Sequence, residues 1–343
     1  MTNADRNSRH IAARRMALYL LPLALVALTG CPPPGKTPIR LPPPPLRSLA
    51  ENVAAVNNNV ASITESLGAS GDISARINDE GKRKSYELDG TLRFLPPRHF
   101  YLNLSHLGMA DAMRIGSNDE IFWVWVKPEV EKLWWGRWAD LDPAKTYKMP
   151  LPPDMILSAM GLSPLPSRDS GLDGPQPRTR GDRYYELLYY ARGENGPWIQ
   201  REYWLDRYPP FLPRVVIFRE PGGQVQMQAN LDRYERVARS QTYVARDIGM
   251  HWPQTGDSLR IRLKTLKFYP DITAASAAYQ LPKRVPIARD RWVRVTSEGE
   301  VDESAATHPP ATTPAVPTDA PASPGASDAV PGGTAVATAP AVP

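Results

Sequence analysis

Several things that catalytic and redox proteins depend on are scarce in this chain of 343 residues. A single Cys excludes an intramolecular disulfide and a thiolate metal cluster. Of the five His, His10 and His308 lie near the ends, His99 and His106 flank a strand-like run, and His251 stands alone. None has metal-ligand spacing. No H-E-x-x-H pair and no G-x-S-x-G elbow occurs. The carboxylates are scattered, so no acid–base pair follows from spacing. No catalytic residue, metal ligand or cofactor is assigned, and the chain reads as a non-enzyme. Charge of one sign is scarce too. The net +5 comes largely from Arg6, Arg9, Arg14 and Arg15. Beyond residue 30 there remain 37 basic and 35 acidic side chains, a net of +2. That excludes the basic footprint of a nucleic-acid binder.

A long hydrophobic run is also missing. Met16–Leu28 is uncharged for thirteen residues, short of the roughly 20 that a spanning helix needs. With the preceding arginines it reads as a signal peptide over 1–30. It ends in Leu28-Thr29-Gly30-Cys31, which resembles the lipobox of bacterial lipoproteins, where the Cys is acylated and becomes the first mature residue. The only Cys of the chain stands where that processing needs it. The expected consequence is a covalent lipid anchor on Cys31, holding the protein to a membrane of the cell envelope, expected to be the outer membrane, facing the periplasm. Gly30-Cys-Pro-Pro-Pro-Gly35-Lys36-Thr37 also fits the phosphate-loop pattern. Pro32, Pro33 and Pro34 lack the N–H groups such a loop uses, so that reading is rejected.

Residues 31–45 form a Pro-rich tether, with eight Pro between 32 and 45. At about 3.1 Å per residue it spans roughly 40 Å. Residues 301–343 are a Pro/Ala/Thr tail, without aromatic, Lys or Arg side chains, and cannot bury enough apolar surface to order. The folded body is therefore expected over 46–300. It opens with Leu46, Leu49, Val53, Val56, Val60, Ile63 and Leu67, one stripe of a helix about 30 Å long. Ser48 and Glu51 supply a capping box, and Gly68 a stop.

From Gly71 onward the pattern changes to period two. Ile73, Ala75 and Ile77 alternate with polar residues, as do Phe100, Leu102 and Leu104. So do Val225, Met227, Ala229 and Leu231, and Leu259, Ile261 and Leu263. This predicts about eleven antiparallel strands with one face in water, interrupted by a short helix from Pro153 to Met160. Leu162–Asp182, rich in Pro, Gly and charge, is expected to be a loop. Ile121–Val126 breaks the alternation, being apolar on both faces. Five of the nine Trp lie within Trp123–Trp138. Such a strand is covered on both sides or lines an apolar cavity.

Local phrases add a resemblance. Phe94-Leu-Pro-Pro97 followed by Phe100 and Leu102, Ile115-Gly-Ser-Asn-Asp-Glu-Ile-Phe-Trp123, Tyr203-Trp-Leu-Asp206 followed by Leu212-Pro213-Arg214-Val215, and Tyr279-x-x-Pro282 occur in an order that resembles the lipoprotein-localisation (LolA/LolB-like) superfamily over roughly 46–285. The resemblance implies a mainly β (α+β) fold, a half-open antiparallel β-barrel whose concave face is covered by the long N-terminal helix and the short mid-chain helix. It implies a cavity for acyl chains of a lipid or an acylated protein, held or transferred without a chemical step. Alternation selects Val53, Val56, Val60, Ile63, Phe100, Leu102, Trp123, Trp125, Leu259 and Ile261 as its lining. The 162–181 insertion and the tail depart from the family. The soluble carrier of the family has no anchor and the receptor has one, so the lipobox favours a receptor-like or resident protein; a monomer is expected. An alternative stays open: a structural lipoprotein that meets an envelope protein partner and keeps the fold without transfer.

Overall fold

The computed structural model describes residues 44–79, 81–106, 109–127, 131–141, 152–166, 172–193, 196–296 and 299–302. The leader, Leu28, Thr29, Gly30 and Cys31, the tether up to residue 43 and the tail from 303 lie outside the described residues. The chain divides into two units, Met1–Pro45 and Leu46–Pro343. All the described helices and strands belong to the second.

Helix α1 covers Leu49–Ala61. Its start is the expected capping box: the Ser48 hydroxyl accepts from the Glu51 N–H at 3.2 Å, and the Glu51 carboxylate accepts from the Ser48 N–H at 2.7 Å. Its end comes earlier than the stripe predicts. At 13 residues it is about 20 Å long. The Ser62 hydroxyl donates to the Asn59 carbonyl at 2.7 Å and meets Thr242 Oγ1 at 2.7 Å, turning the chain away. Leu67, the last member of the predicted stripe, is buried as a strand residue.

The strands are β1 (Ser66–Asp79), β2 (Lys82–Leu95), β3 (His99–His106), β4 (Met109–Ser117), β5 (Ile121–Val126) and β6 (Lys132–Arg137). Helix α2 (Pro153–Ala159) follows. Then come β7 (Asp173–Arg180), β8 (Tyr184–Gly193), β9 (Gly196–Asp206), β10 (Pro213–Arg219), β11 (Val225–Arg236), β12 (Tyr243–Trp252), β13 (Asp257–Tyr269), β14 (Trp292–Thr296) and β15 (Gly299–Asp302). All fifteen join one open sheet, in the order β15-β14-β6-β5-β4-β3-β2-β1-β13-β12-β11-β10-β9-β8-β7. Pairing is antiparallel except between β14 and β6, which run parallel.

The described residues form fifteen strands, where about eleven were expected. The clearest addition is β7, inside the stretch read as a loop. Among the described strands it pairs with β8 alone, and its residues are mostly exposed. An edge strand with no buried face shows no alternation, and its free side tolerates Pro175 and Pro177. The C-terminal pair β14–β15 is another addition, with β14 set beside β6.

The sheet curls. Helix α2 touches β4 on one side and β10 and β11 on the other. In a flat sheet β4 and β11 would stand about 29 Å apart, six spacings of about 4.8 Å, whereas seven residues of helix reach about 10 Å. The sheet must therefore bend round the helix, and the face towards the helices is concave.

Candidate functional site at the concave face

Register aligns apolar side chains into rungs across this face. One rung runs Tyr203, Val216, Ala229, Met250, Leu259 and Ala75 from β9 to β1. The next runs Leu231, Ile248, Ile261, Ile73 and Leu88 from β11 to β2. Both belong to one large buried cluster, with Leu88 half-buried at its margin. Opposite them on the same strands, Arg260, Arg262 and Lys264 are exposed, as the alternation requires.

Two helices close this face. Polar contacts pin α1 across the chain: Asn59 donates through Nδ2 to the Tyr243 carbonyl at 3.0 Å and accepts from its N–H at 2.8 Å. Asn57 Oδ1 accepts from the Leu165 N–H at 2.9 Å, linking α1 to the segment after α2. The Arg47 N–H meets the Tyr185 hydroxyl. Helix α2 contributes Met155, Ile156, Leu157 and Ala159 to the cluster. Its seven residues are fewer than an isolated helix needs, about 12. Docking is what keeps it formed.

Of the ten side chains selected from the sequence, Val56, Ile63, Phe100, Leu102, Leu259 and Ile261 meet in the cluster, and Val53 packs against it half-buried. Val60 is buried on α1. Trp123 and Trp125 are a correction. The concave-side residues of β5 are Phe122 and Val124. Trp123 and Trp125 point the other way, into a second cluster with Ile121, Leu133, Trp135, Ile287 and Trp292. The segment carrying Leu281, Val285 and Ile287 roofs it. Gly116 makes room for it, since a Cβ there would sit 2.3 Å from the Trp123 ring. The double-sided apolar run thus reports two layers.

Spacing alone did not single out a polar group on the concave face. Arg201 on β9 sits between Tyr189 and Phe218 in register. Its guanidinium lies 5.3 Å from the Phe218 ring centre and 3.3 Å from the carboxylate of Asp154 on α2. Tyr189 and Tyr203 meet edge to face at 5.7 Å between ring centres. Burial pushes the Tyr189 hydroxyl well above the usual phenol range, Tyr203 adds to this, and Arg201 opposes it. The signal was present: Arg201, Tyr203 and Leu205 alternate with Glu202 and Trp204, which puts an Arg on the apolar side.

Two other features lie elsewhere. A groove of about 420 Å³ opens on the outer face, where Gly249 carries no side chain between Ser74, Arg76, Asp247, His251 and Arg260. It mixes both charge signs. At the closing segment, Tyr279 is fully buried and its hydroxyl meets that of Ser66 at 2.6 Å. Among the described residues no group of three His, Cys, Asp or Glu could hold a metal ion, and no helix is long and apolar enough to cross a membrane.

No protein-family profile matches the chain, and no curated protein matches it. Solved structures do. The chain is similar to an outer membrane lipoprotein-sorting protein domain from Vibrio parahaemolyticus, at 11% identity and a TM-score of 0.44, over 65% of this chain and 94% of that one. It is similar to a LolA superfamily protein from Nitrosomonas europaea, at 11% identity and a TM-score of 0.43, over 64% and 94%. It is also similar to a DUF1329 family protein from Desulfovibrio piger, at 11% identity and a TM-score of 0.42, over 70% and 100%.

Proposed function

We propose that this protein is an envelope lipoprotein that takes an acyl chain, of a lipid or an acylated protein, against the concave face of its sheet and holds it or passes it on. The carrying observation is the pair of adjacent apolar rungs closed by a helix too short to stand alone. An acyl chain offers the same chemistry as the face of α2. Each buried CH₂ contributes about 0.8 kcal/mol, so a chain of twelve carbons competes with Met155, Ile156 and Leu157 for the same rungs. Binding is then exchange: the helix yields and the chain takes its place. Methionine side chains adapt to either occupant. No bond is made or broken. In this reading Cys31 carries the anchor, and the tether holds the half-open barrel off the membrane, within reach of lipid.

The alternative, a structural lipoprotein with a protein partner, draws on one observation: the described concave cluster is filled by its own side chains. Extraction decides. Residues 31–343 carrying Cys31→Ser are purified natively from bacteria, extracted with organic solvent, and the extract is analysed by mass spectrometry. The proposal expects about one acyl lipid per chain, or tight uptake of a fluorescent acyl probe. A clean protein that ignores the probe overturns it in favour of the structural reading.

A further inference from the structure

The group around Arg201 is out of place in a purely apolar core. Its strand position turns it towards the apolar side, between Tyr189 and Phe218. The structure gives it one acidic partner, Asp154, whose side chain is 41% exposed. Among the described residues Arg201 Nε has no hydrogen-bond partner. Neither does the hydroxyl of Tyr189, a residue 1% exposed, nor that of Tyr203, 3% exposed. Tyr203 Oη lies close enough to the guanidinium to favour its charged form, yet neither that oxygen nor Arg201 Nε completes a hydrogen bond among the described residues. Buried polar atoms are ordinarily paired, and an unmade bond there is costly. Here three unpaired positions share one neighbourhood, and all three are donors: a guanidinium N–H and two phenol O–H groups. The Tyr189 phenol stays protonated at any neutral pH, so it donates. What is missing is an acceptor carrying negative charge.

We propose that Arg201, Tyr189 and Tyr203 form a head-group subsite for the anionic end, carboxylate or phosphate, of an acyl chain lying on the concave face. The proposal rests on the acyl-binding reading and narrows it to acid-headed lipids. An anion accepts from the fork of Arg201 and from both phenols in charge-assisted bonds. A neutral alcohol or an amide-linked chain offers them only weaker bonds. Asp154 occupies part of the fork in the empty protein, and its exposure marks the side from which a head group enters. The apolar rungs beginning at Tyr203 then lead away from the subsite, in the direction a chain would lie.

The test is calorimetric titration of residues 31–343 carrying Cys31→Ser with laurate, dodecyl phosphate and dodecanol. Laurate, dodecyl phosphate or both should bind at least about tenfold tighter than dodecanol, and whichever acid wins names the head group. Tyr189→Phe and Tyr203→Phe keep the rings and should each weaken the acid about tenfold and dodecanol by clearly less, so that the preference for the acid narrows. Asp154→Asn, at a half-exposed site, should tighten the acid a few-fold, and it carries the test should a Phe variant fail to fold. Equal binding of all three ligands, unmoved by Asp154→Asn, overturns the subsite and leaves the acyl site standing. No binding of any ligand overturns the acyl reading itself.

Discussion

Strand β5 borders two apolar clusters, and they are built differently. On the concave side Phe122 and Val124 join a cluster of largely aliphatic side chains that reaches across the sheet and includes residues of both helices and several Met, with the half-buried Arg201 beside it. On the other side Ile121, Trp123 and Trp125 join a small cluster in which Trp123, Trp125, Trp135 and Trp292 supply four rings. Arg289 lies over the Trp292 ring at 3.7 Å and Arg114 over Trp125 at 4.8 Å. The contrast teaches that burial does not distinguish a scaffold from a site. Large rings with two rotatable bonds, locked between a strand and a roof, make a wedge that keeps β4, β5, β6 and β14 together. Aliphatic rungs under a helix held by docking make, in the proposed reading, a surface that exchanges the helix for an acyl chain.

The largest expected effect separates the two. Trp135→Ala should cost about 3–5 kcal/mol in denaturant unfolding and leave acyl affinity of the folded protein unchanged. A matching loss of affinity would break the comparison. Next, Ile156→Ala on α2 should cost about 2–5 kcal/mol and yet tighten acyl binding, because it weakens the competitor. Binding weakened in step with stability would show that α2 supports the ligand. Gly116→Ala pushes a Cβ into the Trp123 ring and should cost about 1–3 kcal/mol, read as a lowered midpoint with acyl affinity intact.

The smallest effect is a pH dependence. Burial holds His99 below its ordinary value of 6.5, with Asp119 pulling the other way. The unfolded chain therefore binds a proton more readily than the folded one. Stability from this group is fully present above about pH 6.5 and falls as the pH drops towards the depressed folded value. The His99→Gln variant should show a shallower loss of stability between pH 7 and 5 in equilibrium unfolding. An unchanged slope would remove His99 from the account.

What was legible in the sequence was whatever depends on nearest neighbours. The capping box needs Ser48 and Glu51 alone. The inward faces of β3, β11 and β13 need only strict alternation. The helix end was hidden because Leu67 falls in phase with the α1 stripe while being buried by β-sheet pairing. β7 was hidden because an edge strand exposed on both faces carries no period. The outward turn of Trp123 and Trp125 was hidden because a strand apolar on both faces does not say which side meets the helices. Arg201 was legible in principle, since its place two residues before Tyr203 fixes its side. Its significance needed the unpaired phenols beside it, which only the fold brings together.

The most direct test of the central claim is hydrogen exchange of residues 31–343 carrying Cys31→Ser, with and without dodecanol, a chain lacking the acid head. The account predicts that exchange changes in α2 and in the strands of the concave rungs, β9 to β13 with β1 and β2, while β5, β6 and β14 around the tryptophan cluster stay as they were. Changes centred on the tryptophan cluster, or none anywhere under saturating dodecanol, would contradict it.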